Sequence, residues 1–277
     1  MITELDFSAP FSDKTPRVVH AAKLKRSSGR KKAQRFLVEG ENSVEAALAT
    51  GAATDIFLSE SAAQRFQELL HLAQYSNVYC HPISAKAVQL LSDTKSSTGI
   101  FAVCTPVLWR FRQCLDGSPR LISIPVETRE PGNAGTLIRV SDAMGADAVV
   151  FAGDTCDPLS SKVARSSAGS LFHIPVSRHR DIDETISYIQ GKGIQVLATA
   201  ADGDISLDNA GEILSQPTAW LFGNEAHGLS PQIQELADHR VRIPIRGRAE
   251  SLNLATAAAI CLYESARAQQ EEFPTQR

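Results

Sequence analysis

The stretch NEAHGLSPQI, residues 224–233, sets an amide, a carboxylate and an imidazole within four positions of one another: Asn224, Glu225 and His227. Gly228 follows at once, and Ser230-Pro231 is a combination that opens helices. The cluster comes directly after the apolar run AWLFG, so it reads as the polar tip of a buried strand. Groups of this kind at a strand tip hydrogen-bond a ligand, hold a neighbouring loop, or accept a proton.

The elements that must position this tip are legible as an α/β alternation. From Arg120 onward, LISIPVE, DAVVFAG, LFHIPV, IQVLATA, TAWLFG and HRVRIPI read as strands. Between them, NAGTLIRVSDAMGA (entered after Pro-Gly), PLSSKVARSSAG (opened by proline), DIDETISYIQGKG and SPQIQELAD read as helices, and SLNLATAAAICLYESARAQQEE as a long last helix. Strands and helices alternating through short loops predict a parallel sheet covered on both faces. Upstream lies a second, smaller α/β pattern. RFLVEG, ATDIFLSE, VYCHPI and GIFAVCTPV are strands, NSVEAALATG is a helix with an Asn cap and a Gly stop, and AAQRFQELLHLAQ is an amphipathic helix. The expected organisation is a polar, disordered 1–16, a first domain over 17–106, a linker over 107–119 and a second domain over 120–277.

In parallel sheets, ligands lie beyond the carboxyl ends of the strands. Three such ends are rich in polar groups: ETREPGNAGTLIR, GNEAHGLS and IRGRAESLN. Neither G-x-G-x-x-G nor G-x-x-x-x-G-K-[ST] occurs, which weakens the dinucleotide, P-loop and glycine-rich methyltransferase readings.

Composition bounds the rest. Of 277 residues, 43% are hydrophobic and 21% charged, with a net charge of −3, ordinary for a globular chain. The five cysteines form no C-x-x-C pair, so neither a disulfide framework nor a structural zinc site is expected. The start is too polar for a signal peptide and no apolar run is long enough to span a bilayer; a cytoplasmic protein without membrane or metal is expected. Charge is nevertheless uneven. The window from Lys14 to Val38 holds no acid but contains Arg17, Lys23, Lys25, Arg26, Arg30, Lys31, Lys32 and Arg35, with a turning Ser-Ser-Gly in its middle. Such a segment is either a local polyanion site or a solvated run.

Taken in order, PGNAGTLIRVSDAMGA, LFGNEAHGLSPQI and IPIRGRAESLNLATAAAICLYE resemble the three signature motifs of the SpoU-type RNA 2′-O-ribose methyltransferases, of the knotted SPOUT (TrmH-like) class. The resemblance covers Arg120 to Glu264, and its nearest subgroup is the thiostrepton-resistance-like rRNA enzymes. Departures are Val140-Ser141 where Thr-Ala is usual and Leu254-Ala255-Thr256 where Val-Ser-Val is common. FLVEGENSVEAAL and STGIFAVCTP resemble the small RNA-binding domain, similar to a ribosomal protein, that many rRNA-directed members carry.

The resemblance implies a parallel-sheet α/β domain with a deep trefoil knot, binding S-adenosyl-L-methionine and methylating a ribose 2′-hydroxyl, most readily in rRNA. The alternatives are a tRNA-directed enzyme, or a catalytically inactive RNA-binding or ribosome-assembly protein of the same fold. It implies cofactor contacts by Leu221, Gly223, Ile243 and Leu252, largely through the backbone. Glycine at 223 suits close approach of a ligand. Arg139 matches the arginine that assists the hydroxyl. A guanidinium stays protonated, so a phosphate fork or an oxyanion contact suits it better than a base. Asn133 would cap its helix and help place the ribose. Glu225 would anchor a loop by accepting backbone N–H bonds. Ser251 would cap the last helix and bond substrate, and Asn253 would orient Glu225 or Arg139. His227 reads as an exposed loop residue. Lys23, Lys25, Arg26, Arg30, Lys31, Lys32 and Arg35 then read as RNA phosphate contacts. With Phe36 the nearest aromatic, base stacking is not expected of that segment. The resemblance also implies a homodimer, with the last helix against both its own sheet and the partner.

Overall fold

The computed structural model describes residues 5–270. In chain order the first elements are α1 (Pro16–Lys23), α2 (Ser27–Ala33), β1 (Phe36–Glu39), α3 (Glu41–Ala49), β2 (Ala53–Leu58), α4 (Glu60–Arg65), α5 (Gln67–Tyr75), β3 (Tyr79–Pro82), α6 (Ala85–Leu91) and β4 (Ile100–Cys104). Then come α7 (Phe111–Cys114), β5 (Leu121–Pro125), α8 (Pro131–Ala143), β6 (Ala148–Ala152), α9 (Ser161–Ser166), β7 (Val176–His179), α10 (Ile182–Gly191), β8 (Gln195–Thr199) and β9 (Ile205–Ser206). The last are α11 (Gly211–Ser215), β10 (Thr218–Phe222), α12 (Pro231–Leu236), β11 (His239–Arg242) and α13 (Leu254–Gln270).

Two compact units form. One runs to Val107 and takes in Asp157–His173; the other holds Leu108–Cys156 and everything from Ile174. In the first, the sheet order is β1-β4-β2-β3. It is mixed, because β4 runs antiparallel to both neighbours while β2 and β3 are parallel. Strand β1 is buried along its whole length although it is an edge strand. Its cover explains why Asp157–His173 joins this unit, whereas sequence pattern assigns that stretch to the second domain. Phe172 stacks on Phe36 at 5.9 Å, and Ser43 Oγ donates to the Ala164 carbonyl.

Several local expectations are corrected here. Ser27-Ser28-Gly29 lies in α2 rather than in a flexible turn, and Gly29 is required there, since a Cβ would meet the Lys23 carbonyl oxygen at 2.0 Å. Gly40, not Asn42, occupies the N-cap of α3. The single helix expected over AAQRFQELLHLAQ breaks at Phe66 into α4 and α5. Ser160, not Pro158, opens α9, its hydroxyl accepting the Val163 N–H. LFHIPV starts within a 3-10 turn over Ser170–Phe172, and the strand begins only at Val176. Of the segment expected to be disordered, residues 1–4 lie outside the described residues. Phe11 is ordered by strand-like pairing, its N–H donating to Pro82 and its carbonyl accepting from Ser84.

The second unit is built on a parallel sheet of order β7-β6-β5-β10-β8-β11-β9. Ile122, Ile124, Val150, Val196 and Leu221 form one buried face, packed against Phe111 of α7 and Ile186 and Ile189 of α10. Helices α8 and α13 pack on the other face, where Trp220 Nε1 donates to Ser265 Oγ at 2.8 Å. Because every strand points the same way, all carboxyl ends emerge on one edge. The chain order reverses between the neighbours β5 and β10, whose last residues, Pro125 and Phe222, are in register. Such a switch point opens a crevice for a ligand.

Candidate active site

The loops after β5 and β10 meet at this switch point. Val126 donates its N–H to Phe222 O at 2.8 Å, and Glu127 donates to Ala152 O at 2.9 Å. Glu127 has φ +50°, a left-handed conformation unusual outside glycine. Asn224 holds it there, donating through Nδ2 to the Glu127 carbonyl at 2.7 Å. The same Asn224 closes its own turn, accepting the Ala226 N–H at 2.9 Å through Oδ1 and exchanging backbone bonds with Gly228. Asn224 stands in the opening motif, but only the fold reveals this role; its sequence signal is an amide four residues before a glycine. Gly223 is bare for an internal reason as well: a Cβ would meet Gly228 C and Leu229 N at 2.4 Å. The glycine lets the turn fold back on its own backbone, whatever else approaches it.

Glu225 crosses to the other loop. Its Oε2 accepts the Arg129 N–H and its Oε1 the Glu130 N–H, both at 3.3 Å, and Asn133 Nδ2 donates to Oε1 at 3.2 Å. The carboxylate thus sits at the N-terminus of α8, where the helix dipole favours negative charge. Asn133 does not cap that helix. Pro131 takes the first helical position and Glu130 is the cap, its side chain accepting the Gly132 N–H. Asn133 is instead the middle of a relay, accepting Asn253 Nδ2 at 3.0 Å through its Oδ1. Asn253, not Ser251, caps α13: its Oδ1 accepts the N–H groups of Ala255 at 2.9 Å and Thr256 at 3.3 Å. Three distant stretches therefore join as Asn253–Asn133–Glu225–backbone 129/130.

The remaining residues fall around this relay. Arg139 is exposed on α8, outside the relay. Ser251 and His227 are exposed. Leu221 is fully buried in the core, so its side chain is structural, and its carbonyl accepts the Thr199 hydroxyl at 2.9 Å. Ile243 is half-buried, while Ile245 and Leu252 are 40% and 37% exposed in an otherwise polar loop. That loop is braced from the 202–208 turn. Arg246 pairs with Asp208 at 2.7 Å, Arg242 donates to Gly203 O at 2.7 Å, and Arg240 pairs with Asp204 at 3.0 Å. The Arg240 guanidinium holds the Asp204 carboxyl below the usual carboxylate range. Thiol chemistry is disfavoured, since burial pushes Cys80 and Cys114 up to about 11 and raises Cys104 and Cys261 as well. Among the described residues no acidic, His or Cys group of three or more could hold a metal ion, and no helix is long and apolar enough to cross a membrane.

The basic segment of the first unit sorts into two kinds. Arg30 is 7% exposed; it pairs with Asp157 at 2.5 Å and donates to the carbonyls of Leu24 and Lys25. Lys25 pairs with Asp93 at 2.9 Å and donates to the carbonyls of Leu90 and Ser92. Both side chains are committed to holding the unit together, unlike the other cations expected to contact RNA. Lys23, Arg26, Lys31 and Lys32 are exposed, and Arg35 is half-buried with a bond to Gln34 O.

Comparison with known proteins gives this geometry a context. The profile of the SpoU rRNA Methylase family matches residues 120–263, and that of the MRM3-like substrate binding domain matches 15–102. The chain is 32% identical, over 91% of its length and 96% of the relative's, to the 23S rRNA (guanosine(2553)-2'-O)-methyltransferase RlmP of Bacillus subtilis (strain 168). Among solved structures it resembles an AdoMet-bound rRNA methyltransferase from Sinorhizobium meliloti, with TM-score 0.80, 25% identity, and 96% of this chain and 99% of that one covered. It also resembles the SpoU methyltransferase AviRb from Streptomyces viridochromogenes in complex with AdoMet, with TM-score 0.79, 28% identity, and 92% and 99% covered.

Proposed function

This chain belongs to the SpoU rRNA methylase family, and we propose on that premise that it methylates a ribose 2′-hydroxyl of ribosomal RNA. S-adenosyl-L-methionine is its methyl donor. The single observation that carries the reading is the relay from Asn253 through Asn133 to Glu225, which draws three strand-end loops together at the switch point.

The residues present suit that donor. Ile243, Ile245 and Leu252 offer apolar side chains incompletely covered beside the polar turns, and Gly223 and Leu221 offer backbone alone. When bound, the donor supplies an activated methyl on a sulfonium. The chain must then align the ribose oxygen and ease the loss of its proton. Alignment of two bound reactants is worth on the order of 7–11 kcal/mol. Arg139, exposed and permanently charged, is assigned to the RNA: it forks a phosphate beside the target ribose or faces the developing oxyanion. Both oxygens of Glu225 already accept N–H bonds, so we assign it to holding the loop rather than to taking the proton. Ser251, exposed at the mouth of α13, is assigned to the substrate. Lys23, Arg26, Lys31, Lys32 and Arg35 hold phosphates, which fixes register without reading sequence.

The knot, the homodimer and the cytoplasmic location belong to the same proposal. The return of Asn253 to Asn133 supports the knotted path. On α13, Thr256, Ile260, Tyr263 and Arg267 form an outward stripe that suits a partner, with the Tyr263 ring 54% exposed. Incubating the protein with labelled S-adenosylmethionine and protein-free 23S rRNA, then mapping 2′-O-methyl positions, tests the function. One modified ribose is expected. Cofactor binding with no label entering RNA would refute it.

A further inference from the structure

Helix α1 has two unlike faces. Val18, Ala21 and the following Leu24 are buried, while Arg17, His20 and Lys23 are exposed at intervals of three, and Arg26 continues the series beyond the helix. From Arg17 to Lys23 this row spans about 9 Å at the rise of an α-helix, the length of two or three nucleotides of a strand. Unlike Lys25 and Arg30, Lys23 and Arg26 pair with no acid among the described residues.

The row begins beside an aromatic surface that lies far off in sequence. Tyr79, on the edge strand β3, is 73% exposed, yet it is placed firmly. Its backbone pairs with Asp55 of β2, and its ring lies 5.2 Å from the buried ring of His81. His81 is in turn packed between Phe11 at 5.3 Å and Phe57 at 5.0 Å. Asp55 is the acid beside this platform, and its Oδ1 is taken by both His81 Nε2 and Arg17 Nη1 at 3.0 Å. The pairing offsets the charge that would repel a phosphate. A second open ring, Tyr75, 87% exposed, ends α5 four residues upstream.

We propose that the outer face of α1 and the Tyr79 ring together bind a single-stranded segment of RNA. Phosphates follow Lys23 and Arg26, Arg17 stays on Asp55, and an unpaired base stacks on Tyr79. A cationic track ending in an open ring is the arrangement that serves single strands, because every base has a π-face. The proposal rests on the rRNA-directed reading above but names a different surface: the site around Glu225 takes the target ribose, and this one takes flanking RNA.

The test uses the full-length protein and a labelled mixed-sequence oligoribonucleotide of about twelve nucleotides, a length within the range one such module covers. Tyr79→Ala is expected to weaken binding about tenfold, and Tyr79→Phe to retain it, since stacking needs only the ring. The double variant Lys23→Gln/Arg26→Gln should flatten the dependence of log affinity on log salt by roughly 1.4 units. Unfolding temperatures like wild type's show that the fold is intact, and the double variant tests the track independently if Tyr79→Ala unfolds. Affinity unchanged in both variants would overturn the proposal, as would an equal loss in Tyr79→Phe. A loss seen only with ribosomal particles and not with protein-free RNA would reassign the surface to a protein. Methyl transfer by the wild type is scored separately, so failure of the catalytic reading and failure of this one are distinguishable.

Discussion

Two glutamates organise two regions of this molecule by opposite means. Glu225 is exposed, and its partners are two backbone N–H groups and one amide from another loop. Glu39, in the smaller unit, is 6% exposed. It accepts Ser92 Oγ at 2.8 and 3.0 Å and Ser97 Oγ at 2.7 Å, with Arg165 Nη1 at 3.8 Å. Water can replace what Glu225 loses but reaches little of Glu39. The exposed hub therefore fixes geometry at small energetic stake, and the buried hub fixes the fold. Arg139 lies outside both hubs, exposed on α8.

That division can be broken by measurement. The largest effect belongs to Arg139→Ala, which should lower kcat by about 10²–10³-fold, the range for losing one preorganised charge contact, with cofactor affinity near wild type. A large loss of cofactor affinity instead would mean that Arg139 supports the donor's pocket. Next is Glu39→Ala, which removes the buried acceptor of the Ser92 and Ser97 hydroxyls and the charge facing the half-buried Arg165, and should cost about 3 kcal/mol in denaturant unfolding. A change under about 0.5 kcal/mol, the range of surface substitutions, would erase the contrast between the hubs. Glu225→Gln follows. Replacing an oxygen that accepts a backbone N–H with a donor should misplace the loop and lower kcat about tenfold, while thermal stability barely moves; a stability loss matching that of Glu39→Ala would refute the division.

The smallest effect is a pH dependence near the buried hub. Burial alone would raise the Asp93 carboxyl, but hydrogen bonds from Ser161 and Lys25, with the charges of Lys25 and Arg165, outweigh it and hold Asp93 below its ordinary value. The unfolded chain binds that proton more tightly, so the stabilisation is in place above the usual aspartate range and is lost as pH falls through the lowered value. Asp93→Asn should unfold at a lower temperature than wild type at pH 7, and the gap should close on acidification toward pH 3. A gap constant with pH would show that the pair contributes through packing alone.

Much of the site was visible in the residues themselves. The apolar run TAWLF, followed by glycine and a polar cluster, placed β10, because a strand buried on both faces must be apolar throughout; β11, His-Arg-Val-Arg, is polar and buries only Val241. The resemblance implied the role of Glu225 as a loop anchor, and its carboxylate does accept two backbone N–H groups of the other loop. Its partners were not legible in the residues. The sequence assigned helix caps to Asn133 and Ser251 because small polar residues at helix starts usually serve that purpose; Glu130 and Asn253 hold those positions, and Asn133 is spent instead on spanning two loops.

The basic segment divides in the same way. A run of cations without an acid marks a polyanion site or a solvated run, and nothing local separates Lys25 from Lys23 or Arg30 from Lys31. Asp93, 68 residues beyond Lys25, and Asp157, 127 beyond Arg30, make the distinction. No aromatic stands beside those cations in sequence, whereas β3 places Tyr79 near Arg17, at the start of α1, through Asp55 and His81. Composition, periodicity and motif order are set along the chain, so the sequence determined the α/β class, the strand tips and the chemistry they carry. Which side chains meet is set by closures across a hundred residues or more, and only the tertiary structure decides which charges are spent on the fold and which remain for a ligand.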